Sequence, residues 1–243
     1  MNSEDIIKLC NQYYNRIVEL RHHFHSYPEL GYEEVQTARV VADELKKAGI
    51  ETIEGVAKTG VVGLIRGKYP GRTVLLRADM DALPIQEEAD VPYKSLAPGK
   101  MHACGHDGHT ASLLGAAMIL NELKDELCGN VKLVFQPDEE IVGGALPMIN
   151  GGVMENPHVD AAFGLHLWGS VPKGMVCIKH GPAMAAPDKF TFKIIGKGGH
   201  GSTPHLCVDS VLICVEAINA MQTIISRKKE AFDPAVISYC SIN

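Results

Sequence analysis

Thr73-Val-Leu-Leu-Arg-Ala-Asp79 is a short apolar run that opens on two β-branched residues and ends on a carboxylate. Such a run predicts a buried strand that delivers an acid to the edge of a sheet. Gly60-Val-Val-Gly-Leu-Ile-Arg66 and Asn130 to Gln136 read the same way, and Val159 to Trp168 reads as extended. Helical patterns alternate with these runs. Upstream, Ile6, Leu9, Cys10, Tyr13, Ile17, Leu20 and Phe24 recur every three or four residues between Ser3 as N-cap and Pro28 as stop, predicting a helix near residues 4–26. Glu34 to Ala48 closed by Gly49, Thr110 to Leu127, and Gly144 to Asn150 are the other helical segments. Strands separated by helices predict an α/β fold, a mostly parallel sheet flanked by helices.

The chain has 243 residues, 46% of them apolar and 21% charged, with a net charge of −6. That is enough chain for one large or two small domains at roughly 150 residues each, and its composition is that of an ordinary globular protein. No basic block is present to neutralise a row of phosphates, so nucleic acid is excluded as an expected partner. Apolar stretches such as Ala111 to Leu120 are too short and too interrupted to cross a bilayer. The acidic start Met1-Asn2-Ser3-Glu4-Asp5 is unlike a secretory signal, and a cytoplasmic location is the expectation. Of the seven cysteines, scattered without a CxxC pair, most read as buried thiols rather than a disulfide framework. Only Cys104 sits among other ligand-type residues.

Small and turn-forming residues from His180 to Asp188 predict a hinge and a boundary, with residues 1–187 as one domain and 188–243 as the start of a second. The second reads as a strand (Lys189 to Ile195), a Gly-rich loop (Gly196 to Gly201), a helix (Asp209 to Arg227) and a strand (Pro234 to Ser241). A strand-helix-strand piece leaves sheet edges open, so this unit reads as unfinished.

In parallel sheets functional residues collect where strands end, and the polar clusters fall there. Met101-His-Ala-Cys-Gly-His-Asp-Gly-His109 is the densest. In an extended segment Cys104 and His106 project to one side and can share an ion; the competing reading is a turn feeding a helix, capped by Asp107. Glu139 and Glu140 follow the Asn130 run and, in an extended chain, point opposite ways, one toward metal and the other toward a water. Alone, the pair is equally readable as a solvated acidic turn. His166 ends an apolar run, where a single histidine is ordinarily a core residue. Together, Cys104, His106, Glu140 and His166 form a sulfur, nitrogen and oxygen donor set suited to zinc, manganese, cobalt or nickel. Asp81 can hold a ligating imidazole by its second nitrogen, or simply precede Pro84 in a turn. His200, flanked by glycines, suits contact with substrate or is a turn residue.

Five segments then resemble one family in order: Arg77-Ala-Asp-Met-Asp-Ala-Leu-Pro-Ile-Gln-Glu87, Met101-His-Ala-Cys-Gly-His-Asp-Gly-His-Thr110, Phe135-Gln-Pro-Asp-Glu-Glu140, Gly164-Leu-His-Leu-Trp168 and Gly196-Lys-Gly-Gly-His-Gly-Ser-Thr-Pro-His205. The chain is similar to the M20 metallopeptidases, in their amidohydrolase branch of aminoacylase-like, hippurate hydrolase-like and auxin-conjugate hydrolase-like enzymes. The resemblance implies a catalytic domain holding two divalent metal ions, and an inserted lid domain through which members form homodimers. It implies Cys104, His106, Glu140 and His166 as metal ligands, Glu139 as general base, Asp81 as the residue steering a ligand and His200 as stabiliser of the developing oxyanion. The substrate class implied is an N-acyl amino acid or short peptide. A further histidine ligand in a returning segment has no counterpart here, so the chain reads as an N-terminal portion ending within the lid. Asp138 and Ile141-Val142 depart from the small residue and glycine of relatives. Two competing readings remain at this level: thiol catalysis by Cys104 with a histidine base, and an inactive fragment serving at most as an interaction module.

Overall fold

A computed structural model describes residues 3–141 and 143–243; Val142 lies outside the described residues. The chain divides into two compact units, residues 1–172 and 173–243.

The first unit is an α/β sandwich of helices on a five-stranded sheet. Its elements are α1 (Ser3–Ser26), α2 (Val35–Lys47), β1 (Glu51–Val56), β2 (Gly60–Arg66), β3 (Tyr69–Asp79), α3 (His106–Glu122), β4 (Cys128–Gln136), α4 (Ala145–Asn150) and β5 (Ala161–Gly164). The strands lie in the order β1-β2-β4-β3-β5. β3 runs parallel to both β4 and β5, whereas β2 is antiparallel to β1 and β4, so the sheet is mixed and its parallel half is the one that carries the chemistry. The antiparallel half comes from the β1–β2 hairpin, of which the apolar pattern marks β2 alone. β1, Glu51-Thr-Ile-Glu-Gly-Val56, is an edge strand with mostly exposed side chains and lacks the apolar run that marked the others.

Adjacent residues of the central strands point to opposite faces, and both faces are covered. Val61, Leu133 and Phe135 pack beneath α1, α2 and α3, against Phe24, Leu45 and Leu114. Val62, Leu75 and Val134 face the other way, onto Met148 of α4, Val153 and Val159. Acidic Glu4 and Asp5 in the first turn of α1, with His23 and His25 in its last, complement the helix dipole.

One charged residue lies inside this second core layer. Lys132 of β4 is 3% exposed, and its Nζ donates to the carbonyls of Val153, Glu155 and Pro157 at 2.8, 2.8 and 2.9 Å. Three acceptors that no helix or ladder satisfies are gathered by one ammonium, which shapes the loop leading into β5.

The second unit has less regular structure. α5 (Ser210–Thr223) begins at Asp209, whose Oδ1 accepts from the Val211 and Leu212 amides, and it runs into a π-helical turn at Ile224–Lys228. The expected strands at Lys189 to Ile195 and Pro234 to Ser241 do not form ladders; among the described residues the pairing there is one bridge, Lys197 to Val208. A strand is stable only with a neighbour to take its amides and carbonyls, and in this unit these extended segments have none.

Replacing Lys132 by Met strands those three carbonyls and is expected to lower unfolding free energy by about 3 kcal/mol. Urea denaturation of the two proteins measures the difference, and an unchanged midpoint would refute the assignment.

Candidate metal centre

Helix α3 starts at His106, four residues earlier than its apolar pattern suggests. Gly105, with φ at +85°, turns the chain through the left-handed region and forms the N-cap, a place that Asp107 does not take. Cys104 therefore sits in the turn and His106 in the first helical turn, rather than side by side on an extended segment. The turn-into-helix reading describes this stretch, with Gly105 rather than Asp107 as the cap.

β3 ends at Asp79 and delivers Asp81 two residues on. The buried ring of His106 donates from Nδ1 to the Asp81 carbonyl at 2.9 Å and lies 3.2 Å from its Oδ1. Asp81 Oδ2 in turn accepts the Glu140 amide at 3.0 Å, so one carboxylate orients both the imidazole and the acidic turn after β4. With Nδ1 committed, Nε2 of His106 presents its lone pair. That atom is buried, 3.8 Å from Glu140 Oε1 and 3.6 Å from Asp79 Oδ2. Neither His106 Nε2 nor Glu140 Oε1 has a hydrogen-bond partner among the described residues.

Around this lone pair the donors converge. Cys104, His106 and His166 offer ligand atoms all within 4.8 Å of one another, as do His106, Glu139 and Glu140. Cys104 Sγ stands 3.4 Å from His166 Nε2, and His166 Nδ1 donates to the Leu167 carbonyl at 2.6 Å, which leaves Nε2 as its open nitrogen too. Glu139 and Glu140 do not diverge as in a strand: they lie in a turn that brings both carboxylates near His106, Glu139 exposed and Glu140 half-buried. The turn is held by Glu34, fully buried, whose Oε1 accepts the Asp138 amide at 2.9 Å while Oε2 accepts the Thr59 hydroxyl at 2.7 Å. Asp138 itself adopts φ +49°. His200 belongs to the second unit, where its Nδ1 accepts from the Ser202 amide at 3.2 Å.

The electrostatics are those of buried acids beside bases. Burial raises Asp79, but the hydrogen bond from His109 and the charges of His106 and Arg77 outweigh it and hold the carboxyl at about 2. Asp81 is likewise lowered, burial being outweighed by His106 and the Glu140 amide. Burial and then Glu140 push the Cys104 thiol up to about 12. Partly exposed sulfur, imidazole and carboxylate donors around the buried His106, with two buried unpartnered atoms among the described residues, His106 Nε2 and Glu140 Oε1, fit a divalent cation.

Beneath the cluster lies a network that the sequence reading did not single out. Asp107 points away from the donors: its Oδ2 accepts from Arg21 Nε and His25 Nδ1, both at 2.8 Å, and His25 Nε2 donates to Glu87 Oε1 at 3.0 Å. The neighbouring His102 is buried with neither ring nitrogen partnered among the described residues, and burial lowers it to about 4. Nothing in local spacing marks these pairings, because their members lie 62 to 86 residues apart.

A parallel half-sheet with a mixed-donor cluster at its carboxyl edge defines the class, an α/β protein with a candidate metal centre. Residues 75–234 match the peptidase family M20/M25/M40, and the chain belongs to that family. It is 48% identical over 230 residues to thermostable carboxypeptidase 1 of Saccharolobus solfataricus, covering 93% of this chain and 58% of that protein. It is 44% identical to the N-acyl-L-amino acid amidohydrolase of Geobacillus stearothermophilus, covering 98% of this chain and 64% of that one. Among solved structures it resembles the Bacillus subtilis YXEP protein, described as a dinuclear metal binding peptidase from the M20 family, with 42% identity and a TM-score of 0.68 over 71% of this chain and 48% of that one. The chain thus spans less than two thirds of the length of these relatives.

The His25 network has a pH signature. Its hydrogen bond to Asp107, with that to Glu87, raises His25 above the ordinary 6.5. A raised histidine contributes stability that is full below 6.5 and fades as pH climbs through the raised value. The stability gap between the wild type and His25→Gln is expected to shrink as pH rises above 6.5, read by thermal unfolding over a pH series. A gap that stays constant or widens would contradict the paired imidazolium.

Proposed function

We propose that the chain carries the metal-binding part of an M20-type amidohydrolase that cleaves the amide bond of N-acyl amino acids or short peptides. The observation that carries this reading is the convergence of Cys104, His166 and Glu140 on the open Nε2 of His106. Those four residues would hold two divalent ions drawn from zinc, manganese, cobalt or nickel. When bound, such ions supply Lewis acidity and lower the pKa of water from about 15.7 toward about 7.

The chain's own residues account for the rest. Asp81 locks the His106 tautomer through Nδ1 and holds the Glu140 amide, which keeps both ligands aimed at one point. Glu139, exposed beside them, accepts the proton of the attacking water and delivers it to the amine nitrogen as the carbon–nitrogen bond breaks. His200 would donate to the carbonyl oxygen as its charge develops. Residues 1–187 would form the catalytic part and 188–243 part of a lid through which the protein dimerises, with the hinge at His180 to Asp188; the compact units divide earlier, at 172. A cytoplasmic location belongs to the same reading; no helix among the described residues is long and apolar enough to cross a membrane.

Thiol catalysis is disfavoured by the Cys104 thiol, which burial pushes up to about 12, far from the thiolate a nucleophile needs. Metal content and an N-acyl amino acid hydrolysis screen, on this chain and on one extended to the length of its relatives, test the proposal. Glu139→Gln is expected to keep its ions and lose turnover by about a thousandfold in the extended protein. Parallel loss of ions would remove Glu139 from the role of base, and a wild type that takes up no ion would end the metal reading.

A further inference from the structure

Beyond Gly164 the chain leaves β5, and His166 stands on a segment outside the sheet ladder. What fastens that segment to α3 is a histidine not assigned any role above. His109 is 2% exposed, and its Nε2 accepts the Leu167 amide at 2.8 Å while its Nδ1 meets Asp79 Oδ1 at 2.6 Å. An Nε2 that accepts carries no proton, so the ring proton sits on Nδ1 and is given to Asp79. Asp79 is itself fixed: Arg77 Nη1 donates to its Oδ2 at 2.7 Å and the Thr110 hydroxyl to its carbonyl at 2.8 Å. The chain of contacts runs from β3 through His109 to the backbone amide next to His166.

The helix surface beneath is cut to receive that segment. A Cβ at Gly108 would meet Leu167 Cδ1 at 2.4 Å, and one at Gly105 would come within 3.5 Å of Leu167 Cβ. Leu167 therefore lies over two glycines while its amide is held by His109, one turn along the same helix from His106. The rings of His109 and His166 are 4.7 Å apart and those of His109 and His106 5.4 Å apart, so His109 occupies the floor between the two imidazoles without offering them a free nitrogen.

We propose that His109 is a positioning residue: the Asp79–His109–Leu167 chain sets where His166 stands relative to Cys104 and His106. This rests on reading His166 as a metal ligand. The ring works through its acceptor, so a side chain that places an acceptor where Nε2 was preserves the device, whereas one that reaches only Asp79 does not. Glutamine extends to the Nε2 position and asparagine only to that of Nδ1.

The test combines ring protonation with affinity for zinc alone. A proton–nitrogen correlation spectrum of the wild-type histidine rings should show His109 protonated on Nδ1 and bare on Nε2; the opposite tautomer overturns the proposal without reference to any metal. Zinc affinity, measured by competition with a chelator, should fall about tenfold or more in His109→Asn and recover toward wild type in His109→Gln. Thermal unfolding of each variant accompanies the titration, and the Gln-against-Asn comparison stands if both fold. If wild type binds zinc and His109→Asn binds it equally well, the positioning role is wrong while the metal centre survives. If wild type binds no zinc, the metal reading fails and this role fails with it.

Discussion

A single residue orders the site: Asp81, whose backbone carbonyl accepts from His106 Nδ1 at 2.9 Å with its Oδ1 3.2 Å from the same nitrogen. A buried imidazole with both nitrogens satisfied is inert. One with Nδ1 held by Asp81 presents a fixed, buried lone pair on Nε2, and that atom has no protein partner among the described residues. Because Asp81 also holds the Glu140 amide, the same carboxylate fixes a second donor from a different strand end. β3 and β4 are adjacent and parallel, paired from Val74 with Val131 through Asp79 with Gln136, so their carboxyl ends fall at one edge and Asp81 can reach both.

The first turn of α3 is the second constraint. Its residues leave in different directions: His106 toward the donors, Asp107 down to His25 and Arg21, His109 across to Asp79 and the Leu167 amide. Each contact reaches another element, so α1, β3 and the segment after β5 are all referred to one helical turn. Shifting that turn would disturb both imidazoles and the packing of α1 together. Charged pairs this deep are weak sources of net stability but strong sources of geometry, since breaking one leaves the other charge buried.

The apolar runs made most of this legible. Period-three-and-four spacing placed α1 and α2 within a residue or two, and the runs ending in Asp79 and Gln136 located the carboxyl edge. Donor chemistry marked Cys104, His106, Glu140 and His166, which the fold draws together around His106, and left His200 on a separate unit. Local geometry was less readable. Gly105 in the left-handed region starts α3 early, and a tight turn after Pro137 points Glu139 and Glu140 the same way; neither bend shows in a periodicity. β1 was hidden because an edge strand need bury little, and Lys132, Glu34 and His25 were hidden because their partners are distant in sequence and ordinary in type.

Charge balance supplies the last step. Asp79, Asp81, Glu139 and Glu140 gather within reach of His106, and a fixed cation beside them is Arg77, bound to Asp79 and Gln136. Burial alone would neutralise such a group by protonation, yet Asp79 and Asp81 are held low by their donors, leaving Glu140 as the carboxyl that burial raises. A proton on His106 relieves part of the excess, and it occupies the very lone pair that a divalent ion would take. Proton and cation are therefore alternatives at one atom. An ion bound as proposed would answer several carboxylates and the Cys104 sulfur at once, where a proton answers one.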